Sequence, residues 1–154
     1  MLKLFICFAF LAYSNFARAN EAQLGLILGS ITGISGKYDL GGNRAIDAAL
    51  AYSVDGQYGI ALHTDYLFNP AQVLTLGRIT PVSLYYGVGI RLIEYRDRNR
   101  INGNTRLGMR FPIGLFYRTS NPDLELFGEL APILDVTPRT DVYIDVGIGV
   151  RLII

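Results

Sequence analysis

His63 is the only histidine of the chain, and histidine is the side chain whose ordinary charge change falls nearest neutral pH. Asp65 follows two residues later, and Ser35, Ser53 and Ser83 supply hydroxyls, so the enzymatic possibility to weigh is a serine–histidine–carboxylate set of the kind that moves acyl chains. None of these serines forms a recognisable motif with His63. In an alternating segment Asp65 shares the His63 face, and a plain hydrogen bond accounts for the pair. Glu125 and Glu129 lie four apart, which on a strand is roughly 13 Å, too far for the paired carboxylates of glycoside hydrolysis. The two Gly-x-Gly pairs, 87/89 and 147/149, are not nucleotide loops, because no helix follows them. No spacing of His, Cys, Asp and Glu reads as a metal-ligand cluster. We therefore expect no catalytic residue, no metal site and no cofactor.

The remaining charges make a different pattern. Lys37, Asp47, Asp65, Arg91, Arg110, Glu125, Glu129, Asp145 and Arg151 each stand in an alternating segment, on the face opposite the aliphatic residues. With Asp39, Arg106 and Arg118 they comprise six cations and six carboxylates. A balanced set can pair in an enclosed space, where an unpartnered ion costs several kcal/mol. Arg96, Arg98 and Arg100 fall instead in the most polar stretch, Tyr95 to Asn104 (YRDRNRINGN), which reads as an exposed loop able to engage phosphates or a surface ligand.

The elements that would position these charges are strands. Eight segments alternate: Leu24 to Ser30, Gly33 to Leu40, Ala45 to Val54, Tyr58 to Phe68, Val82 to Ile93, Arg106 to Arg118, Leu124 to Ile133, and Val142 to Ile154. The last (VYIDVGIGVRLII) is the cleanest, with an aliphatic residue at every even position and Tyr143, Asp145, Gly147, Gly149 and Arg151 between them. Asp55-Gly56 is a hairpin signal, and Ser120-Asn121-Pro122-Asp123 a tight turn. Pro112 cannot donate to a ladder, so a bulge or broken pair is expected there. Pro132 and Pro138 bracket a connection. The long connection Asn69 to Thr80 falls at the end that carries the termini.

The start of the chain reads as an export signal: Lys3, then a short apolar run from Leu4 to Ala12, then Ala17-Arg18-Ala19 in small-x-small form. Cleavage would leave residues 20–154 as one domain. It would also remove Cys7, the one cysteine, so that no disulfide or thiol chemistry remains. Taking Lys3 and Arg18 from fourteen basic residues leaves twelve against thirteen acidic, a formal charge of −1. Nothing in that balance suggests nucleic acid. The chain is 51% hydrophobic, yet the apolar residues fall in every second position rather than in a helix-length run.

Alternation alone allows a soluble barrel with its greasy face inward. The polar face favours the opposite arrangement, because it sets long charged residues beside glycines (Gly87, Gly89, Arg91; Gly147, Gly149, Arg151), which is how a narrow barrel interior is filled. Tyr38, Tyr52, Tyr58, Phe68, Tyr86 and Tyr117 lie near strand ends, where membrane barrels carry aromatic girdles. The expected fold is all-β: an eight-stranded antiparallel up-and-down transmembrane β-barrel with a polar, side-chain-filled lumen.

The stretches 32–38 (TGISGKY), 45–53 (AIDAALAYS), 86–91 (YGVGIR), 110–115 (RFPIGL) and 124–138 (LELFGELAPILDVTP) resemble a family of small bacterial outer-membrane barrels of uncharacterised function, similar in architecture to the OmpA and OmpX transmembrane domains. Barrels of that kind usually end in an aromatic residue, whereas this chain ends Ile153-Ile154. The resemblance implies an outer-membrane location, contact with outer-membrane lipids and the barrel assembly machinery, and a monomer. A non-enzymatic structural or surface-interaction role, with any extracellular ligand unidentified, is the expectation. A narrow channel, a lipid A-modifying enzyme and a soluble periplasmic ligand-binding barrel are the alternatives.

Overall fold

A computed structural model describes residues 21–52, 59–74, 82–95 and 104–154. The expected export segment 1–19 and the loop arginines Arg96, Arg98 and Arg100 lie outside these residues. Within them the chain forms β1 (Ala22–Gly29), β2 (Gly33–Gly41), β3 (Arg44–Tyr52), β4 (Ile60–Leu74), β5 (Val82–Tyr95), β6 (Asn104–Arg110), β7 (Ile113–Ser120), β8 (Asp123–Thr137) and β9 (Asp141–Ile153). Every pairing is antiparallel. β9 returns to β1 with Gln23 opposite Ile153 and Gly29 opposite Gly147, and this closes the sheet into a ring.

Nine strands replace the eight expected, and the difference has one cause. β6 and β7 both pair with β5 on one side and β8 on the other, so they follow each other in a single place of the ring. The interruption is Phe111-Pro112, where proline lacks the N–H a continuous ladder needs. The Phe111 amide donates to the Pro132 carbonyl at 2.9 Å, and the Pro112 carbonyl accepts from Gly87 at 2.8 Å. A residue in an antiparallel ladder turns its nitrogen and its carbonyl toward the same neighbour. The Pro132 nitrogen therefore faces Phe111 at this same break, while the Pro112 nitrogen, like its carbonyl, faces β5. With its proline accommodated there, β8 runs on to Thr137 instead of stopping at Ile133. β4 likewise continues past Phe68 to Leu74, with register shifts against β5. Asn69 to Leu74 are thus strand rather than connection, and 75–80 lie outside the described residues.

The two faces of the sheet have inverted polarity relative to a water-soluble protein. Val142, Ile144, Val146 and Ile148 of β9 are 51–74% exposed, while Asp145 and Gly147 between them are buried. Every strand contributes large apolar side chains to the outer face, among them Leu26, Ile34, Leu50, Ile90 and Ile113. Inside lie charged residues together with two apolar clusters, one built around Ile27, Leu67, Tyr85 and Phe127, the other around Ile31 and Ile93. Glycine makes room for the large inward groups. Gly149 stands opposite Phe127 in register, and a Cβ there would lie 2.4 Å from the ring. Gly114 stands in the same relation to Tyr85.

Candidate functional site

The interior charges are set by register first. Lys37 of β2 stands opposite Asp47 of β3, and Glu125 of β8 opposite Arg151 of β9. Their bonds cross the ring instead of following those pairs alone. Lys37 Nζ donates to both oxygens of Glu125 at 3.1 and 3.0 Å. Arg151 donates to Glu125 Oε1 at 3.3 Å, to Asp47 Oδ2 at 3.0 Å and, from Nε and Nη2, to the Ser35 hydroxyl at 3.0 and 2.8 Å. The result ties β2, β3, β8 and β9 across the interior. Aromatic faces back both cations, with Arg151 3.9 Å from the Phe127 ring centroid and Lys37 4.4 Å from that of Phe116.

At the rim near the termini, Arg118 bonds Asp39 at 2.6 Å, Glu125 at 3.0 Å and Glu21 at 3.0 Å. Further in, Arg110 forms ion pairs with Asp65 and Glu129, and the Tyr85 hydroxyl donates to Glu129 Oε2 at 2.9 Å. Toward the opposite end Arg91 holds Asp145 at 3.1 Å and Asp135 at 2.9 Å. Arg106 is half-buried there and donates to the Tyr143 hydroxyl at 2.8 Å.

All nine residues expected to form the interior network are buried, and Asp135, which the sequence reading leaves in a connection, joins them. Its inward turn follows from the continuation of β8 beyond Pro132. Asp135 alters the charge balance. Among the described residues the buried charged groups are Lys37, Arg91, Arg110 and Arg151 against Asp47, Asp65, Glu125, Glu129, Asp135 and Asp145, four cations and six carboxylates. Adding the half-exposed Arg106, Arg118 and Asp39 gives six against seven. The evenly balanced set expected from sequence becomes an enclosed surplus of carboxylate.

His63 and Asp65 do share an inward face, but their closest polar approach is 3.9 Å, between Nε2 and Oδ2, which is no hydrogen bond. Ser35 stands two strands from His63, with Ala49 between them in register, and its hydroxyl is taken by Arg151. Ser83 lines the rim at the termini end, and Ser53 lies outside the described residues. What the strands do bring to His63 is Asp47. It is directly opposite Asp65, and one ligand-type atom from each of Asp47, His63 and Asp65 lies within 4.8 Å of the others. Sequence spacing hides this cluster because Asp47 comes from the neighbouring strand.

Space opens at the rim that carries the termini. A cavity of about 550 Å³ opens there among Asp39, Asn43, Arg44, Asn69, Phe116 and Arg118. Deeper, the space enclosed by His63, Arg110, Glu129 and Asp145 is about 10 Å³, room for one water at most. Side chains fill the described interior. Compared with known proteins, the chain matches no family model, no curated protein and no solved structure.

Proposed function

We propose that the protein is a non-enzymatic outer-membrane β-barrel, monomeric, with a structural or surface-interaction role in the cell envelope. One observation carries this reading. The ring encloses its charges and exposes its aliphatic residues, an arrangement that is stable where lipid, not water, surrounds the outer face. A soluble barrel would bury the aliphatic face instead. The resemblance of the sequence to small OmpA- and OmpX-like barrels supports the same location, and the alternating strand that ends at Ile153 is the segment the assembly machinery would engage.

Further support comes from the aromatic residues of the outer face. Phe68 stacks on Tyr86 with ring centroids 5.6 Å apart and meets Tyr66 edge-on at 5.1 Å, near the end that carries the termini. An interfacial girdle draws on such groups. The surface-interaction part of the proposal rests on the sequence of the Tyr95 to Asn104 loop, whose arginines would meet anionic headgroups or a ligand on the far side from the termini.

Fractionation with heat-dependent gel mobility tests the proposal. The protein should sediment with the outer membrane and migrate differently before and after boiling in detergent. Recovery in a soluble fraction, with one mobility under both conditions, would overturn it.

A further inference from the structure

We propose that Asp47, His63 and Asp65 bind a single divalent first-row transition-metal cation inside the ring. Asp47 and Asp65 are directly opposed on β3 and β4 with both carboxylates turned inward. Like charges so placed repel, and enclosure strengthens the repulsion. Arg151 takes Oδ2 of Asp47 and Arg110 takes Oδ2 of Asp65. Among the described residues, Oδ1 of each aspartate and Nδ1 of His63 are buried with no hydrogen-bond partner. All three residues are at most 2% exposed. Orphaned polar atoms at that depth are costly unless a bound group satisfies them.

The charge balance points to a cation. Counted with the half-exposed Arg106, Arg118 and Asp39, the described interior holds one more carboxylate than cation, so added positive charge is accommodated there. The donor set narrows the class: one imidazole nitrogen and two carboxylate oxygens suit Zn²⁺ or Mn²⁺, not a thiolate-seeking ion. An ion with bonds of about 2.1 Å holds its ligands roughly 3.4 Å apart, so atoms now within 4.8 Å must close somewhat on binding. Each arginine fixes Oδ2 of its aspartate, and Oδ1 of Asp65, which lies over Gly89 of β5, must rotate toward Asp47 and His63 to ligate the ion. The site lies inside the ring, so the inference stands independently of what surrounds the outer face.

The sole histidine makes the test direct. Untagged full-length protein carrying Cys7→Ser, which removes the only thiol, is labelled with ¹⁵N in its imidazole, folded in detergent, and titrated with ZnCl₂ and with MnCl₂. With Zn²⁺ the single pair of ring-nitrogen resonances should shift and saturate at one ion per chain, and with Mn²⁺ it should broaden at the same stoichiometry. His63→Gln and Asp47→Asn, checked for folding by heat-dependent mobility, should each weaken binding at least tenfold by equilibrium dialysis. Where either variant does not fold, the wild-type titration decides. Ring resonances that respond to pH but to neither ion at millimolar concentration would overturn the proposal in favour of a proton. Affinity unchanged in folded His63→Gln would overturn it as well.

Discussion

Arg151 and Glu125 stand opposite each other on β9 and β8, and their side chains meet at 3.3 Å while Arg151 also reaches Asp47 on β3 at 3.0 Å. One guanidinium thereby links strands from opposite ends of the chain. Such links add to the two inward apolar clusters, because many of the large aliphatic side chains face outward. The energy of the interior lies in completeness: a buried pair contributes little net, yet breaking one leaves an uncompensated charge.

Arg110→Ala measures that directly. It strands Asp65 and Glu129, both of them buried, and should lower stability by about 3 to 5 kcal/mol. Denaturant titration of the protein folded in detergent reads the difference. A change within about 0.5 kcal/mol, the scale of an ordinary surface substitution, would contradict the enclosed network.

Gly149 and Gly128 offer a paired test of which face is packed. A Cβ at Gly149 would lie 2.4 Å from the Phe127 ring, whereas at Gly128 the nearest atom, Ile148 Cγ2, is 3.8 Å away. Gly149→Ala should therefore cost about 1 to 3 kcal/mol, the scale of overpacking, and Gly128→Ala should fall within about 0.5 kcal/mol of wild type. Equal effects by the same titration would contradict the assignment of faces.

Much of this was legible in the sequence, and the reason is period two. Each even-numbered residue from Val142 to Leu152 turns outward because alternation fixes the face once any one residue is placed, and Pro112 marks the break because it has no donor. Asp135 was hidden by Pro132, which reads as the end of a strand until its bare nitrogen is seen to face the break between β6 and β7. The Asp47–His63–Asp65 cluster was hidden for another reason. Residues sixteen or eighteen positions apart meet only through the β3–β4 register, and that register depends on a loop whose length the alternation does not specify.

The filled interior sets an expectation for permeability. Among the described residues ion pairs cross the ring at successive levels, and the space between His63, Arg110, Glu129 and Asp145 is about 10 Å³. Purified protein in planar bilayers should show no stable conductance large enough for sugars. Reproducible large single-channel steps would mean that the side chains vacate the interior.

The central claim is that the aliphatic face meets lipid. Spin labels placed at Ile144→Cys, Val146→Cys and Ile148→Cys in a Cys7→Ser background, with the exposed turn position Arg139→Cys as control, test it in lipid vesicles. The account predicts that the three strand labels collide freely with oxygen and scarcely with a water-soluble nickel chelate, while the Arg139 label shows the reverse. Nickel accessibility at 144, 146 and 148 equal to that at 139 would contradict it.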